Sequence, residues 1–477
     1  MHWLRLNPAA PVLAVLAVLI RLHASGGFKG LTNVLGNDPG IYFSAGAALI
    51  HGRMPYSDFT LVHPPGVAVF MAPFAWIGSL TSDVHGFALA RLVMMLFGLV
   101  NAFLIYLVAA KIGRIAAISA ALVYCLLPGV IWVERTVYLE APMLLATLVG
   151  LLIFNSAAPP SKRRLIIAGI LFGIAISFKL WAVIPCLFLI IAVAVLRNAK
   201  AALIYLLATA ATAIVIMLPF FIAAPSQMFN LILVDQLGRS GQARGLARIP
   251  YMLSLTHGLH QSAAVKYSII ALALLVIAMI IAWIYEPRAR LWVTLCAVQL
   301  LVVLSVPTFF GAYRAFYAVG MCLVIATIGQ LCWNLMRRNS ETPAAAMYRV
   351  MAGGAAAVFV VGCYWLFTHA DKPGFKVPVG TLSTAVKPGH CVTASNPSWM
   401  TASNSLTRSL DNGCPLIVDL AGNKFGLSKK AYQALRTSYL SSGDYVFTTP
   451  AESTNPAIST NRPLLYAKRS IVLLGPN

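Results

Sequence analysis

Long apolar runs, separated by short polar or basic stretches, make up most of the chain as far as residue 369. Each run reaches or approaches the length that a helix needs to cross a hydrocarbon core of about 30 Å. The runs lie at 4–22, 87–110, 115–131, 139–155, 165–178, 180–196, 201–223, 266–285, 291–306, 314–335 and 347–368. They predict about eleven transmembrane helices, although the first run is also consistent with a cleaved signal peptide that ends near "HASGG".

The composition agrees with a membrane protein. Hydrophobic residues make up 60% of the 477 positions and charged residues only 10%, whereas about a quarter of a soluble globular domain is charged. These values exclude a water-soluble globule. We therefore expect an α-helical polytopic protein that is surrounded by the lipid bilayer and has no nucleic-acid partner.

The C-terminal part of the chain has a different character. From about Asp371 onward it is rich in Ser, Thr, Asn and Lys, and none of its apolar runs is long enough to span a bilayer. Residues 370–477 therefore predict a soluble domain that follows a membrane domain of residues 1–369. Strand-like "HCVTAS", "PLIVDL", "DYVFTT" and "SIVLLG" alternate with helix-like stretches, which favours a small α/β domain with a mostly parallel sheet. We expect this domain to be accessory or to face an acceptor.

The loops between the apolar runs indicate how the chain is oriented. Every second loop is basic: "KIGR" at 111, "SKRR" at 161, "LRNAK" at 196, "EPRAR" at 286 and "MRRNSETPAAAMYR" at 336. Lys and Arg in short loops mark the cytoplasmic side, so the C-terminal domain is predicted to lie outside the inner or plasma membrane. The two cysteines of that domain, Cys391 and Cys414, then predict a disulfide, with two unrelated buried thiols as the alternative.

Most acidic residues of the membrane domain fall on the predicted outer side, namely Asp38, Asp58, Asp83, Glu134, Glu140 and Asp235. The same side carries basic residues, against the usual bias: Lys179, Arg239, Arg244 and Arg248, with Arg91 and Arg314 near outer helix ends. An anionic ligand such as a phosphate would explain these cations. The alternative is that each of them reaches to lipid headgroups.

The first predicted outer loop, residues 23–86, contains "GNDPGIYFSAGAALIHGRMPYSDFTLVHPPG". Asp38 and Pro39 predict a helix start, with Asp38 as N-cap, and Gly52 predicts its end. The order Asp38, Tyr42, Gly52, Pro55, Tyr56, Asp58 and Pro64–Pro65 resembles the first extracytoplasmic loop of GT-C class glycosyltransferases. These polytopic enzymes use polyprenyl-phosphate sugars and include protein O-mannosyltransferases and the aminoarabinose transferase of lipid A. "ALARLVMMLFGLVNAFLIYLVAAKIGR" and "GILFGIAISFKLWAVIPCLFL" extend the resemblance over roughly residues 10–200.

The resemblance implies an inverting glycosyl transfer at the outer membrane face to a glycolipid, glycan or protein acceptor. Asp38 matches the loop acid that takes the proton from the acceptor hydroxyl, and Asp58 is the reserve candidate. Tyr42, Tyr56 and His63 would contact substrate. His63 replaces a Lys of the aminoarabinose-type members, so Lys179, Arg239, Arg244 or Arg248 would bind the phosphate instead.

Three further points stay open from the sequence. Glu140 either accepts hydrogen bonds from sugar hydroxyls or pairs with Arg135. No cofactor is indicated with certainty, but His257 and His260 have a spacing that a divalent metal ion would accept. A transporter or flippase of lipid-linked sugars is the alternative function; it predicts internal repeats and ionisable residues near the middle of the membrane, and the sequence contains no convincing repeat.

Overall fold

The structure is a computed structural model, and it describes residues 8–33, 36–154, 161–237, 245–255, 260–306, 309–338, 379–424, 427–468 and 470–476. Helices dominate the part up to residue 338. The helices are α1 Ala9–Ala24, α2 Asp38–Ile50, α3 Gly66–Leu80, α4 Asp83–Ala109, α5 Arg114–Leu126, α6 Pro128–Glu134, α7 Glu140–Phe154, α8 Lys162–Phe178, α9 Val183–Leu196, α10 Ala199–Ala223, α11 Pro225–Phe229, α12 Asp235–Leu237, α13 Arg248–Met252, α14 Gln261–Tyr285, α15 Arg290–Ser305 and α16 Ala318–Arg338.

Ten of the eleven predicted runs coincide with helices, and the run at 347–368 lies outside the described residues. By length and composition, five helices of the described chain are able to cross a membrane: Asp83–Ala109, Ala199–Ala223, Gln261–Tyr285, Pro287–Ser305 and Gly311–Arg337. The pair α5 and α6, bent by 62°, would make a sixth. The bend falls at Pro128, because a proline displaces the preceding residue from helical geometry. The structure therefore supports a polytopic membrane protein without confirming eleven full spans.

A buried ion pair ties α1 into the helix bundle. Arg21 Nη2 lies 2.7 Å from Glu134 Oε2, and both side chains are fully buried. Glu134 Oε1 accepts hydrogen bonds from Asn101 Nδ2 at 2.9 Å and Tyr124 Oη at 2.6 Å. Because a buried carboxylate is stable only when it is paired, Glu134 depends on α1. We therefore expect α1 to remain in the mature protein.

The C-terminal part contains helices 379–385, 397–402, 406–411, 429–441, 450–453 and 456–459 together with one sheet. Its strands are β1 Val392–Ala394, β2 Tyr445–Thr448, β3 Leu464–Lys468 and β4 Ile471–Leu474, in the order β1-β2-β4-β3. β1 and β2 are parallel, but β4 is antiparallel to both of its neighbours. The expected mostly parallel sheet is therefore wrong. The two residues between β3 and β4 permit a hairpin, whereas a parallel connection needs a dozen or more. "PLIVDL" forms no strand, and the strand "LLYAK" is missing from the prediction.

The C-terminal part docks on the first loop and on the start of α4. The Asp83 carboxylate accepts hydrogen bonds from the backbone N–H groups of Leu406 at 2.9 Å and Thr407 at 3.3 Å. Arg53 Nη2 donates to the Cys414 carbonyl at 2.9 Å. Cys414 is joined to Cys391 by a disulfide with an Sγ–Sγ distance of 1.99 Å. These contacts fix the chain after Cys414 beside the first loop.

Candidate active site

A cavity of about 340 Å³ lies where the first loop, two helix junctions and the C-terminal part meet. Three of the chain's 13 acidic residues line it, together with two lysines and several aromatic rings. The lining residues are Asn37, Asp38, Ile41, Tyr42, Val62, His63, Tyr138, Glu140, Lys179, Phe310, Ala312, Tyr313, Asp419, Ala421, Gly422 and Lys424. A concave site with aromatic walls and a few convergent polar groups is the usual form of a small-ligand site.

Asp38 lies at the N-terminus of α2, exposed at the cavity. The predicted N-cap assignment is wrong by one position, because the helix starts at Asp38 itself and Asn37 occupies the N-cap without a side-chain cap hydrogen bond. Asp38 is thus the first helical residue and not the N-cap residue. It lies in the first turn, where the helix dipole favours negative charge.

Tyr42 follows Asp38 by one helical turn and is buried in the cavity wall. Burial raises the pKa of the Tyr42 hydroxyl well above its usual range, and the carboxylates of Asp38, Glu140 and Asp419 raise this pKa further. The phenol therefore keeps its proton and is a hydrogen-bond donor at neutral pH. Its ring packs edge-on against His63, with ring centroids 5.6 Å apart.

His63 is held close to α8 by the turn that precedes α3. α3 begins at Gly66, where an added Cβ would meet the Ser177 carbonyl oxygen at 2.5 Å. Only a glycine permits this approach to the C-terminal end of α8, and Lys179 follows that end directly. The Tyr56 hydroxyl donates to the His63 carbonyl at 2.6 Å, so Tyr56 supports the loop from behind and does not itself line the cavity.

Lys179 and Glu140 form a buried ion pair in the cavity wall. Glu140 is the first residue of α7 and Lys179 follows the last residue of α8, so each charge is favoured by the helix dipole beside it. The Lys179 Nζ lies 4.7 Å from the centroid of the Tyr313 ring, within the range of a cation–π contact. The second oxygen of Glu140, Oε2, is buried and has no hydrogen-bond partner among the described residues.

The pairing of Glu140 differs from the one considered from the sequence. Arg135 Nη1 donates to the Ala24 carbonyl at 3.1 Å and its guanidinium lies 4.5 Å from the Trp132 ring. Glu140 pairs with Lys179, 39 positions away. Lys179 pairs with Oε1 of the Glu140 carboxylate, and Oε2 is left able to accept a hydrogen bond from a ligand.

Other predicted site residues lie outside the cavity lining. Asp58 is exposed in a turn and accepts a hydrogen bond from the Met54 N–H at 2.6 Å. Arg248 is buried, and its Nη1 donates to the carbonyls of Val303, Leu304 and Val306 at the end of α15. These hydrogen bonds satisfy carbonyl oxygens at the helix end that have no partner within the helix. Arg239 and Arg244 lie outside the described residues.

The described residues contain no group of three or more His, Cys, Asp or Glu side chains that could hold a metal ion. Of the pair considered for a metal, His260 precedes α14 and His257 lies outside the described residues.

The sequence does not identify two charged residues of the cavity lining, Asp419 and Lys424 of the C-terminal part. It does not identify the aromatic residues Tyr138, Phe310 and Tyr313 either. The sequence pattern predicts that Asp419 lies inside a strand, "PLIVDL". The available signal was an acid at the end of an apolar run, followed by the turn-forming "AGN". Asp419 Oδ1 accepts a hydrogen bond from the Gly422 N–H at 2.8 Å.

Comparisons with known proteins agree with this architecture. The family model of dolichyl-phosphate-mannose-protein mannosyltransferases matches residues 62–222, which is less than half of the chain. A comparison with curated protein sequences finds no match.

Solved structures with a similar fold cover nearly the whole chain. ArnT from Cupriavidus metallidurans, bound to undecaprenyl phosphate, superposes with a TM-score of 0.61 at 14% identity, over 97% of each chain. The oligosaccharyltransferase AglB from Archaeoglobus fulgidus, in complex with an inhibitory peptide and a dolichol-phosphate, gives a TM-score of 0.55 at 12% identity, over 95% of this chain and 70% of that one. The fold is that of the polytopic GT-C class of glycosyltransferases. The resemblance predicted from the first loop is therefore confirmed.

Proposed function

We propose that the protein is an inverting glycosyltransferase that moves a sugar from a polyprenyl-phosphate donor to an envelope acceptor. The observation that carries this proposal is the convergence of Asp38, Glu140 and Lys179 on one cavity within a fold whose relatives include a structure with bound undecaprenyl phosphate. An acid that can take a proton and a cation that can face a phosphate are the two groups that such a transfer needs.

In the proposed reaction an acceptor hydroxyl attacks the anomeric carbon of the donor sugar. Asp38 takes the hydroxyl proton, the new C–O bond forms, and the bond between the anomeric carbon and the phosphate oxygen breaks with its electron pair staying on the phosphate. Lys179, a donor of up to three hydrogen bonds, donates a hydrogen bond to the departing phosphate while remaining paired with Glu140. The open Oε2 of Glu140 accepts a hydrogen bond from a sugar hydroxyl.

The proposal places this reaction at the outer membrane face. The disulfide between Cys391 and Cys414 favours an oxidising compartment for the C-terminal part. That part contributes Asp419 and Lys424 to the cavity wall, so the cavity opens on the same side of the membrane. This location agrees with the basic loops expected on the cytoplasmic side.

The test compares cells with and without the protein, followed by transfer assays with purified full-length chain in detergent. Mass spectrometry of envelope glycolipids and glycans should show the loss of one sugar residue and the accumulation of a polyprenyl-phosphate sugar. Two extracts are then prepared from cells that lack the protein: the polyprenyl-phosphate sugar fraction, and the unmodified envelope glycolipid and glycan fraction. Purified chain should transfer the sugar from the first extract to the second in detergent. A flippase would produce the same loss in cells, but no transfer in detergent, where no bilayer separates the substrates. That outcome would overturn the proposal.

A further inference from the structure

The backbone on both sides of Asp38 lies against one residue of the C-terminal part, Ser398. The Ser398 hydroxyl donates a hydrogen bond to the Gly36 carbonyl, two positions before Asp38. Two positions after Asp38, an added Cβ at Gly40 would lie 2.5 Å from the Ser398 backbone N and 2.7 Å from its Cα. Only a glycine at position 40 permits this approach, so the first turn of α2 rests directly on Ser398.

Ser398 is itself held in a fixed position. It lies in the helix Pro397–Ala402 and is buried, with 2% of its surface exposed. The side chain of Asn396 caps this helix by accepting a hydrogen bond from the Ser398 N–H at 2.9 Å, and the ring of Pro397 restricts the backbone at the first helical position. The hydroxyl that contacts Gly36 is therefore presented from a rigid backbone.

The segment that leads into Asp38 needs such a contact. Gly36 has a φ of 80°, a left-handed conformation that a glycine adopts without strain, and a glycine also leaves the backbone less restricted than any other residue. Further along, α2 packs on α3 at Gly46, where an added Cβ would lie 2.5 Å from Met71 Cβ. That contact is about two helical turns from Asp38, whereas the contacts with Ser398 lie within two positions of it.

We infer that Ser398 is a positioning residue for Asp38: it holds the first turn of α2 where the Asp38 carboxylate meets the acceptor hydroxyl. The inference rests on the proposed function. Ser398 is not among the residues that line the cavity, so it acts through Asp38 and not on a substrate. It makes the C-terminal part a component of the catalytic site, because a catalytic group that is displaced by about 1 Å can lose roughly a hundredfold in rate.

The experiment uses purified full-length chain in detergent with the two extracts. Ser398→Ala removes the hydroxyl and keeps the backbone contact with Gly40. Because Gly36 is exposed, water can hydrate its carbonyl in the variant, which should fold and bind undecaprenyl phosphate as the wild type does. The maximal rate of transfer should fall roughly three- to tenfold, the factor that one net hydrogen bond contributes to an equilibrium. The extract concentrations at half-maximal rate should change less than about twofold.

A second measurement separates positioning from a general loss of structure. In an Asp38→Asn background, the carboxylate on which Ser398 acts is already absent. Adding Ser398→Ala should then lower the residual transfer less than about twofold, because residues that act as a unit do not have additive effects. Equal losses in both backgrounds would overturn the inference, as would a maximal rate of Ser398→Ala within about twofold of the wild type.

Gly40→Ala changes the same contact by another route. Ordinary van der Waals contact begins at 3.4 Å, so the added Cβ should move α2 away from Ser398 by about 1 Å. The maximal rate should fall at least roughly tenfold, again with undecaprenyl phosphate binding retained. An unchanged maximal rate in this variant would also overturn the inference.

Ser403→Ala is the matched control. Ser403 is buried at the end of the same helix, and its hydroxyl donates to the Met400 carbonyl at 3.1 Å, so the change removes a hydrogen bond that lies within the C-terminal part. This variant should keep the wild-type maximal rate, and a loss equal to that of Ser398→Ala would contradict the positioning role. If wild-type chain itself transfers nothing between the extracts, the proposed function fails instead, so the two failures are distinguishable.

Discussion

Asp83 of α4 caps a helix in another part of the chain, and its replacement should destabilise the first turn of that helix. The helix Leu406–Asp411 has no side-chain cap of its own at Ser405. Asp83, 1% exposed, accepts hydrogen bonds from the N–H groups of Leu406 and Thr407 and from the Thr407 hydroxyl. Asp83→Ala leaves both buried N–H groups without this acceptor. Each such loss costs about 1 to 3 kcal/mol. Because the two N–H groups are neighbours that share one acceptor, their losses do not simply add, and we expect roughly 2 to 4 kcal/mol in total.

Hydrogen exchange measures this loss directly, because local opening governs the exchange of protected amides. A free-energy change of about 1.4 kcal/mol corresponds to a factor of ten. The Leu406 and Thr407 amides should therefore exchange roughly 30- to 700-fold faster in Asp83→Ala than in the wild type. Asp83→Asn is the control: it keeps an acceptor oxygen and ranks with Asp at helix N-termini, so its exchange should rise less than about tenfold. Helix Lys429–Ser441 should remain protected in both variants. Exchange within about threefold of wild type in Asp83→Ala would refute the proposed capping role.

The remaining predictions concern the bundle, the topology and the donor. Arg21→Leu leaves the buried Glu134 carboxylate without its cation, which should cost about 3 to 5 kcal/mol of stability and lower the thermal unfolding temperature. Adding Glu134→Gln to this variant should recover part of the loss. An unfolding temperature of Arg21→Leu equal to that of the wild type would contradict the role of the buried pair. Non-reducing mass mapping of protein from its native compartment should recover Cys391 linked to Cys414, and cysteine-accessibility labelling should place the basic loops inside and the C-terminal part outside. Free thiols at Cys391 and Cys414, or a cytoplasmic C-terminal part, would contradict the proposed location of the cavity at the outer membrane face. Lys179→Met should weaken undecaprenyl phosphate binding roughly tenfold or more, since a charge-assisted contact is typically worth ~1.5 to 3 kcal/mol; unaltered binding would move the phosphate site elsewhere.

Local patterns made much of the architecture predictable. An apolar run that must satisfy its backbone within a bilayer forms a helix whatever surrounds it, and ten of the eleven predicted runs are helical. The first loop was likewise informative, because Asp38, Tyr42 and His63 lie close together in sequence and all three line the cavity.

What the sequence missed depends on contacts between distant segments. Glu140 pairs with Lys179, 39 positions away, although Arg135 is the nearer cation in sequence. Asp419 reaches the cavity only because the C-terminal part docks through Asp83 and Arg53. The direction of β4 is set by its hairpin with β3. The sequence "RS" that joins the two strands contains neither the glycine nor the asparagine that usually marks such a turn.

The exchange Asp38→Asn tests the central claim most directly. The side chain is not an N-cap in the structure and lies exposed at the cavity, so the variant should insert, fold and bind undecaprenyl phosphate as the wild type does. Because an amide cannot take the acceptor's proton, sugar transfer between the two envelope extracts should fall at least roughly a hundredfold. Asp58→Asn, which removes a first-loop carboxylate outside the cavity lining, is the matched control and should retain transfer. Near-normal transfer by Asp38→Asn would contradict the account.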